Sequence, residues 1–391
     1  MSQWDHNDNF ILLPELKLLS IWSPGRYRNH YKVKKESEFE VCPKCATPSK
    51  TVHDRRWVNV KDQPIRGSGI KLKILKRRFR CPSCRKVFTE PVSGIRKGFR
   101  TTERFRRGVR WACENFSDLK RVSRAYGCSS WLVYKVFYEQ LALKARQHAH
   151  PWPQVIGIDE HSFRRGKYGP EYASIIVDYT HKKIFEVAQG KTAIGLEDQL
   201  RWIEGRENVR NVVLDMCDAF KKFAIEHFPN AEVVADKFHV LRLLTPALNA
   251  RRKEITGDKR SNPVRKLLLR NGHTLKVYER SALNKWLDQN PVIKEVYFYK
   301  EALHRLYRTK GFGKASHALT KLTDLMAGSD LKEIKKLRKT LMKWRKEILA
   351  YFKTKLTNGR TEGFNRLAKL YQYRAFGYKS FKNYRLRLLN A

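Results

Sequence analysis

Two pairs of cysteines restrict the fold of this chain more than any other feature of its sequence. Cys42 and Cys45 form one Cys-Pro-x-Cys segment, and Cys81 and Cys84 form a second. This spacing is typical of a tetrahedral site in which four thiolates hold a structural Zn²⁺ ion. Basic residues and residues with a preference for strands surround the pairs, as in a zinc ribbon. Because the pairs are further apart than is usual, four buried or free thiols are the alternative.

The chain also carries a strong positive charge. Its 391 residues include 82 Lys and Arg against 38 Asp and Glu, which gives a formal net charge of +44. Such a charge attracts polyanions, so we expect nucleic acid as the partner, with an anionic membrane surface as the alternative. The sequence lacks a run of about 18 apolar residues, and we therefore expect no segment that spans a bilayer. An odd number of cysteines and no secretory signal favour a cytoplasmic location.

The charge is distributed unevenly along the chain. Between residues 66 and 110, sixteen Lys and Arg accompany two acidic residues, and here we assign Arg77 and Arg78 to DNA contact. Between residues 151 and 240, fourteen Asp and Glu exceed twelve Lys and Arg. A protein that binds a polyanion gains nothing from clustered carboxylates unless a cation lies among them. The acidic stretch in this basic chain therefore predicts a divalent metal site.

The pattern between residues 101 and 145 predicts helices that end in a helix-turn-helix motif. Gly127 suits a left-handed turn between the two helices of the motif, and Ser129 or Ser130 can cap the second one. Apolar spacing predicts the buried face of that helix, which consists of Val133, Val136 and Phe137. The face that we expect to contact DNA consists of Ser130, Trp131, Tyr134 and Lys135. An ordinary helical hairpin is the alternative.

The pattern changes to that of an α/β domain after two prolines in the segment 148–154. Three strands, a helix, a strand, a helix and a strand follow, with the helices expected over 196–205 and 218–228. This order is that of an RNase H-like fold. From about residue 243 to 355 the sequence is basic and poor in strand signals, which predicts an α-helical insertion.

Three aspartates each end an apolar strand of this domain, namely Asp159, Asp215 and Asp236. Ligand sites of open α/β sheets lie at the C-terminal ends of the strands. Because the strands of Asp159 and Asp215 are neighbours in the predicted fold, their carboxylates can hold Mg²⁺ together; a cap on the following helix is the alternative. Asp236 and His239 share one side of a helical turn, and we expect them to support this site. A helix cap with a packed histidine is the alternative for that pair.

The last basic segment keeps a single carboxylate. Between residues 351 and 391, Glu362 stands alone among ten Lys and Arg. A helix through 360–370 places Glu362 on the same face as Asn365, Arg366 and Lys369. An exposed pair with Arg366 would stabilise that helix by only about 0.3–0.5 kcal/mol, and this is the alternative to a metal-binding role. We expect Glu362 to lie beside Asp159 and Asp215, and Arg366 and Lys369 to hold DNA.

Taken together, these motifs resemble a known family. The Cys-Pro-x-Cys pairs, the helix-turn-helix, GIDE, VVLDM, ADKFHV, TNGRTEGFNRLAKL and GYKSFKNYRLRLL follow one another along the chain. In this order they are similar to the DDE transposases of the ISL-three family of bacterial insertion sequences. The resemblance covers nearly the whole chain. It implies that Asp159, Asp215 and Glu362 bind two Mg²⁺ or Mn²⁺ ions, which serve DNA strand cleavage at the element ends and strand transfer into target DNA.

The resemblance also implies an organisation and a set of partners. We expect an N-terminal segment with the zinc ribbon over 1–98 and a helix-turn-helix domain over 99–150. An RNase H-like core would follow in two parts, 151–242 and 356–391, with an α-helical insertion over 243–355 between them. The partners would be double-stranded DNA with terminal inverted repeats, target DNA and at least a second copy of the chain, at the bacterial nucleoid. The alternatives are an inactive regulator derived from a transposase, a structure-specific nuclease and a basic nucleoid protein.

Overall fold

The computed structural model describes residues 13–116, 118–166, 169–257 and 262–391. The chain divides into two compact units, of which the first ends at Gln147 and the second begins at His148. Within the described ranges, every helix is too short or too polar to cross a membrane. The division into five segments stays a prediction.

The first unit is built on a sheet of five strands. Strands β2 and β6 run parallel in its middle, β1 and β5 flank them as antiparallel edges, and β7 pairs with β6. Two further strands, β3 and β4, form a separate antiparallel pair. In chain order the strands are β1 (Leu16–Gly25), β2 (Arg28–Lys35), β3 (Glu40–Val41), β4 (Pro48–Ser49), β5 (Val52–Ile65), β6 (Ser68–Arg80) and β7 (Val87–Thr89).

Alternation along β6 explains how this sheet gains one apolar face. Ile70, Leu72 and Ile74 are buried, whereas Lys71 and Lys73 between them remain partly accessible to solvent. Successive side chains of a strand point to opposite faces, so the apolar set forms a core and the lysines form a basic face. The core is completed by Leu13, Leu16, Tyr31, Val33, Val60, Val92 and Ile95.

Three helices follow the sheet in the first unit, namely α1 (Glu103–Asn115), α2 (Leu119–Ala125) and α3 (Ser130–Gln147). Gly127 adopts a left-handed conformation with φ of 54° between α2 and α3. The Ser129 hydroxyl accepts a hydrogen bond from the N–H of Leu132 at 3.3 Å and so caps α3. The predictions of the left-handed Gly127 and of a serine cap are confirmed. The three residues predicted to form the buried face of α3 are also buried.

The second unit contains another sheet of five strands, in the order β10-β9-β8-β11-β12. Strands β8, β11 and β12 run parallel, whereas β9 and β10 are antiparallel to their neighbours. Two helices accompany the second half of the sheet. The elements are β8 (Val155–Gly166), β9 (Gly169–Asp178), β10 (Lys183–Gln189), α4 (Ala193–Leu200), β11 (Asn211–Leu214), α5 (Asp218–His227) and β12 (Glu232–Ala235).

The order of these elements is the predicted one, but the helix predicted over 196–205 is wrong in its bounds. Helix α4 begins earlier because the Thr192 side chain accepts from the N–H of Gly195 and caps it there. It ends at Leu200, and Gly205 then takes a left-handed conformation with φ of 82°. Local capping and turn chemistry therefore decided the position of this helix.

The rest of the second unit is helical in the part that the structure describes. Helix α13 lies against β12, α14 lies against β8 and β9, and α15 lies against β10. The helices are α6 (Lys237–Leu241), α7 (Thr245–Thr256), α8 (Pro263–Leu269), α9 (Val277–Asp288), α10 (Pro291–Arg308), α11 (Phe312–Leu325), α12 (Lys332–Lys343), α13 (Arg345–Thr354), α14 (Gly359–Arg374) and α15 (Phe381–Leu389).

One apolar core connects the sheet and the helices of the second unit. It includes residues from Trp152, before β8, to Leu388 in α15. Helix α12 shows how the helical segment contributes, since Ile334, Leu337 and Leu341 recur at helical spacing and are buried. The segment predicted as an insertion and the sheet therefore share a core. Through this common core, α13 packs against β12 and α14 packs against β8 and β9.

Candidate functional site

The four cysteines of the two Cys-Pro-x-Cys segments meet in the first unit. Their sulfur atoms lie 3.4 Å apart for Cys45 and Cys81, 3.5 Å for Cys45 and Cys84, and 3.6 Å for Cys42 and Cys84. All four are free cysteines, and their ligand atoms lie within 4.8 Å of one another. Thiolates bound to one tetrahedral Zn²⁺ ion lie about 3.8 Å apart. The cluster therefore fits the predicted structural zinc ion.

The same local turn presents each pair of cysteines. The N–H of Ala46 donates to the carbonyl of Cys42 at 2.9 Å, and the N–H of Arg85 donates to the carbonyl of Cys81 at 3.1 Å. Ala46 and Arg85 both adopt left-handed conformations, with φ of 57° and 56°. The Thr47 hydroxyl, which can donate a hydrogen bond to the Cys45 sulfur, lowers the pKa of Cys45 to about 6 and so favours a thiolate.

Three aspartates meet at one edge of the second sheet. Leu214 of β11 pairs with Ile158 of β8 on one side and with Ala235 of β12 on the other. The next residue after each of these is an aspartate, so Asp159, Asp215 and Asp236 lie in one row across three parallel strands. Asp215 and Asp236 directly follow β11 and β12, as predicted. The prediction that Asp159 ends its strand is wrong, because β8 continues to Gly166 through its pairing with β9. This register produces the closeness of the aspartates that the sequence predicts.

His239 connects two of these aspartates. Its Nδ1 atom lies 2.9 Å from Asp236 Oδ2, and its Nε2 atom lies 2.8 Å from Asp215 Oδ2. Hydrogen bonds to Asp215 and then to Asp236 raise the pKa of His239 to about 10. The imidazolium therefore donates to both carboxylates.

Asp236 is fully buried, and both of its oxygen atoms have partners within the chain. Oδ2 accepts from the ring and the N–H of His239, and Oδ1 accepts from the N–H of Asn358 at 2.9 Å. Burial raises its pKa, but the hydrogen bonds from His239 and Asn358 outweigh burial, and the pKa lies below its usual value. Asp236 therefore serves to orient His239 and the start of α14. Asp215, Asp236 and His239 also offer ligand atoms within 4.8 Å of one another.

Helix α14 supplies an amide to each of the other two aspartates. Asn358, the residue before the helix, donates from Nδ2 to Asp215 Oδ1 at 3.1 Å. Asn365 donates from Nδ2 to Asp159 Oδ2 at 2.5 Å. The sequence pattern predicts Asn365 on the face of Glu362, whereas Asn358 was not predicted. The signal for both is their spacing of seven residues, which puts them on one side of a helix.

Asp159 has an unusual protonation equilibrium. Burial and then the nearby charge of Asp215 raise its pKa to about 7. Two carboxylates with mutual repulsion in a buried setting suit a divalent cation, which would relieve that repulsion. Carboxylate oxygen atoms are also the ligands that Mg²⁺ and Mn²⁺ prefer. The residues at this edge therefore fit the predicted metal ions.

Gly157 allows helix α14 to approach β8 closely. A Cβ atom at Gly157 would overlap the side chains of Thr361 and Tyr179. Tyr179 in turn donates its hydroxyl hydrogen to the carbonyl of Thr357 at 2.9 Å. The missing side chain in the VIGID strand therefore brings the N-terminal end of α14 onto the sheet beside the aspartates.

Glu362 lies in the first turn of α14 and is partly buried. It follows Asn358 by four residues and precedes Asn365 by three, so its helical face is the one that contacts Asp215 and Asp159. Among the described residues, its carboxylate has no hydrogen bond or ion pair, so the pair with Arg366, which is the alternative to a metal-binding role, is not formed. The predicted position of the Glu362 carboxylate beside the aspartates stays a prediction.

The residues predicted to contact DNA differ in their exposure and in whether they already have ion-pair partners within the chain. Ser130, Trp131, Tyr134 and Lys135 are all exposed on α3, and the Lys135 ammonium lies 4.8 Å from the centre of the Trp131 ring.

The two arginines of β6 already have partners. Arg77 forms hydrogen bonds with Glu90 and Ser37, and Arg78 lies 2.8 Å from Asp54. Arg366 and Lys369 are exposed on α14. DNA contact stays a prediction for all of these residues.

Comparison with known proteins gives matches over both units. A family profile described as a transposase, of the DDE type named after ISL3, matches residues 156–388. A second profile, described as the zinc finger of the transposases of IS204, IS1001, IS1096 and IS1165, matches residues 38–84.

Two individual transposases are also similar in sequence to this chain. The transposase for insertion sequence element IS1001 of Bordetella parapertussis is 24% identical over 379 residues, which cover 93% of this chain and 91% of that protein. The transposase for insertion sequence element IS1557 of Mycobacterium tuberculosis is 31% identical over 108 residues, which cover 27% of this chain and 24% of that protein. The first match extends over both units.

Proposed function

This chain belongs to the ISL3 family of DDE transposases, and from that premise we propose that it cuts DNA at the ends of an insertion sequence and joins them to target DNA. The row of aspartates across β8, β11 and β12 carries the proposal. A sheet that brings carboxylates to one edge, with an acidic residue on the facing helix, suits phosphodiester chemistry that depends on divalent metal ions.

Asp159, Asp215 and Glu362 would hold the divalent ions, which we propose to be two Mg²⁺ or Mn²⁺ ions. Bound there, such ions supply Lewis acidity to the phosphodiester and neutralise charge that develops in the transition state. The unpartnered carboxylate of Glu362 and the closeness of Asp159 to Asp215 support this assignment.

The residues around these three carboxylates would hold them in place. Asn365 holds one oxygen of Asp159, and Asn358 holds one oxygen of Asp215. His239 donates to the other oxygen of Asp215 and is itself fixed by Asp236. Each metal-binding aspartate would thus keep one orientation before DNA arrives, which lowers the cost of reaching the transition state.

The sheet order supports an RNase H-like core. The three antiparallel strands β8, β9 and β10 lie beside the parallel strands β11 and β12. Residues 243–355 would then be a helical insertion that shares the core's apolar interior. Residues 356–391 would return the chain to the sheet through α14 and α15.

We propose that the first unit recognises the terminal inverted repeats. Its zinc ribbon would hold Zn²⁺ through the four cysteines, and α2 with α3 would act as a helix-turn-helix. The exposed α3 face supports this role, since an aromatic ring with a lysine beside it can contact bases and phosphates. Arg366 and Lys369 would hold the DNA backbone near the cut, and two copies of the chain would bind two ends.

A joining assay tests the proposal. Labelled element ends, a target plasmid and Mg²⁺ are incubated with the wild-type chain and with the Asp215→Ala variant. We expect joined product from the wild type alone. The matched control is Asp218→Ala, because the Asp218 side chain is 66% exposed and pairs with Lys343 outside the aspartate row.

The other classes of function predict different products in the same assay. Cleavage without joining would contradict the proposal in favour of a nuclease. Retarded DNA bands with neither cleavage nor joining would contradict it in favour of an inactive regulator. The presence of terminal inverted repeats next to the gene would identify the DNA ends to use.

A further inference from the structure

A second group of possible metal ligands lies in the second unit, away from the aspartate row. His150, Asp178 and His181 offer ligand atoms that all lie within 4.8 Å of one another. Asp178 Oδ2 is 2.6 Å from His181 Nδ1 and 3.6 Å from His150 Nε2. One carboxylate oxygen therefore faces two imidazole nitrogen atoms.

The orientation of Asp178 is fixed by the backbone. Its side chain is fully buried at the end of β9, and Oδ1 accepts hydrogen bonds from the N–H of Thr180 at 2.7 Å and of His181 at 3.0 Å. These two hydrogen bonds occupy Oδ1 and stabilise the turn between β9 and β10. The other oxygen is left to face the two histidines.

The orientation of His150 is the one that metal-binding histidines have. Its Nδ1 atom lies 2.8 Å from the carbonyl oxygen of Pro151, and a carbonyl only accepts, so Nδ1 carries the hydrogen. Nε2 of the neutral ring then presents a lone pair. This atom is buried and forms no hydrogen bond in the described structure. Histidines that bind metals usually donate their other ring N–H to a carbonyl or carboxylate, as His150 does.

We propose that His150, Asp178 and His181 bind a transition-metal ion of the zinc type. Two imidazoles and one carboxylate are a ligand set that Zn²⁺ commonly takes, with a water molecule at the fourth position. Ligand atoms around a tetrahedral zinc ion lie about 3.3 Å apart. This value lies between the observed 2.6 Å for Asp178 and His181 and 3.6 Å for His150 and Asp178, so His181 would move away from Asp178 by less than about 1 Å to admit the ion. The water can reach the ion from the side of His181, whose side chain is 59% exposed.

A simple ion pair explains less of the geometry. It would account for the contact between Asp178 and His181, which are close along the chain. It leaves Nε2 of His150 buried and, in the described structure, without a hydrogen bond, at 3.6 Å from the Asp178 carboxylate. Phe185 lies against the His150 ring, with 5.1 Å between the ring centres, so an aromatic ring covers one side of the histidine. A metal ion satisfies Nε2 in a place where an apolar ring restricts water.

This group is separate from the aspartate row. Asp178 pairs with Ile156 near the start of β8, whereas Asp159 pairs with Ile175 further along the strand. Residues 156 and 159 point to opposite faces of the sheet, because side chains alternate along a strand. The ion would tie the segment that starts the second unit, at His150, to the turn after β9. It would thus have a structural role that is independent of DNA cleavage.

The test is a metal count on the full chain. Wild type, His181→Ala and the double variant His150→Ala/His181→Ala are purified with Zn²⁺, dialysed and analysed for zinc. We expect one zinc equivalent fewer per chain in both variants, because the four cysteines remain. The control is His53→Ala/His317→Ala, which removes two histidines that are exposed and outside the group and leaves the zinc content unchanged.

A second measurement guards against misfolding. His181→Ala changes an exposed turn residue, and Asp178→Asn keeps an oxygen atom for the two backbone N–H groups of that turn. In each folded variant, titration with Zn²⁺ should show binding to the second site at least about 100-fold weaker than in the wild type. Equal zinc content and equal titration curves for the wild type and all variants would overturn the proposal.

Cobalt identifies the ligands. Co²⁺ at the cysteine cluster gives strong sulfur-to-metal charge-transfer bands, whereas Co²⁺ at a nitrogen and oxygen site gives only weak visible bands. In the wild type we expect both kinds of band, and the double histidine variant should lose only the weak ones. A spectrum that is identical in both proteins would contradict the site. These measurements do not depend on DNA, so their outcome is distinct from that of the joining assay.

Discussion

The cysteine cluster of the first unit and the aspartate row of the second unit both fit metal ions, but different parts of the structure hold their ligands. The cysteines lie on two short turns. Among the described residues, the apolar cluster beside them has Phe79 and Phe88 as its buried members in addition to Cys42 and Cys81. Asp215 and Asp236 follow buried strands and Asp159 lies within one, and two asparagines and a histidine hold their oxygen atoms.

This difference separates a metal ion that stabilises the fold from metal ions that bind to an arrangement already formed by the fold. Around the cysteines there is little apolar surface to hold the turns together, so zinc binding and folding should be coupled there. Around the aspartates, the sheet and α14 provide the arrangement through packing and hydrogen bonds. We therefore expect zinc to act on stability, and the divalent ions at the aspartates to act on catalysis.

The largest effect should come from the loss of the zinc ion. Structural zinc contributes on the order of 10 kcal/mol to the folding of small zinc-binding domains, so Cys45→Ser/Cys84→Ser should unfold the zinc ribbon. DNA-end binding should be lost, while hydrogen exchange of β8 and β11 stays slow. The control is Cys217→Ser, a cysteine outside the cluster. Retained DNA-end binding in the double variant would contradict the coupling of zinc binding to the folding of the first unit.

Glu362→Gln should leave the fold intact and remove activity. The loss of one charged ligand should lower the cleavage rate about 10³-fold, which corresponds to about 4 kcal/mol of transition-state stabilisation. Single-turnover cleavage of labelled ends measures the rate. Glu226→Gln is the control, because its side chain is 61% exposed on α5. Wild-type cleavage by Glu362→Gln would remove this residue from the metal site.

Asn358→Ala should weaken the site without destroying it. The variant loses the hydrogen bond to Asp215, and loss of a group that orients a metal ligand typically costs about 10–100-fold in affinity or rate. The Mg²⁺ concentration for half-maximal cleavage should rise, which a general loss of stability would not cause. Asn230→Ala, which loses a bond to the Glu207 carbonyl at the surface, should cleave like the wild type. An unchanged Mg²⁺ requirement would mean that Asn358 has no orienting role.

The smallest effect concerns the contact between the strand and α14. Gly157→Ala should lower the free energy of unfolding by about 1–3 kcal/mol, because the new methyl group overlaps Thr361 and Tyr179. Gly363→Ala is the control, since it lies in α14 with open space around it and should stabilise the helix by up to about 1 kcal/mol. Denaturant unfolding followed by circular dichroism measures both. Equal stability of the two variants would show that the close approach of α14 is not required.

Local patterns made much of this structure predictable. The cysteine ligands could be found because each pair stands on one turn of a few residues. The buried face of α3 and the left-handed Gly127 followed from spacing and from the conformational freedom of glycine. The bounds of α4 were wrong because its start depends on a threonine cap that periodicity does not reveal.

Contacts between distant residues could not be predicted in the same way. Asn358 lies 143 positions from Asp215, and Asn365 lies 206 positions from Asp159. The group of His150, Asp178 and His181 has no recognisable spacing, since His150 precedes the sheet, Asp178 ends β9 and His181 follows it. Such contacts depend on which strands pair and in what register.

The sequence by itself determined the local elements, the two cysteine pairs and the positions of Asp215 and Asp236 after apolar strands, because hydrophobic spacing and turn chemistry act over a few residues. Only the tertiary structure decided which oxygen atoms have partners. The register of β8, β11 and β12 aligns the three aspartates, and the bare backbone of Gly157 lets α14 bring its asparagines to them. The physical reason is that side-chain hydrogen bonds need distances correct to a few tenths of an ångström, which only the packing of whole elements sets.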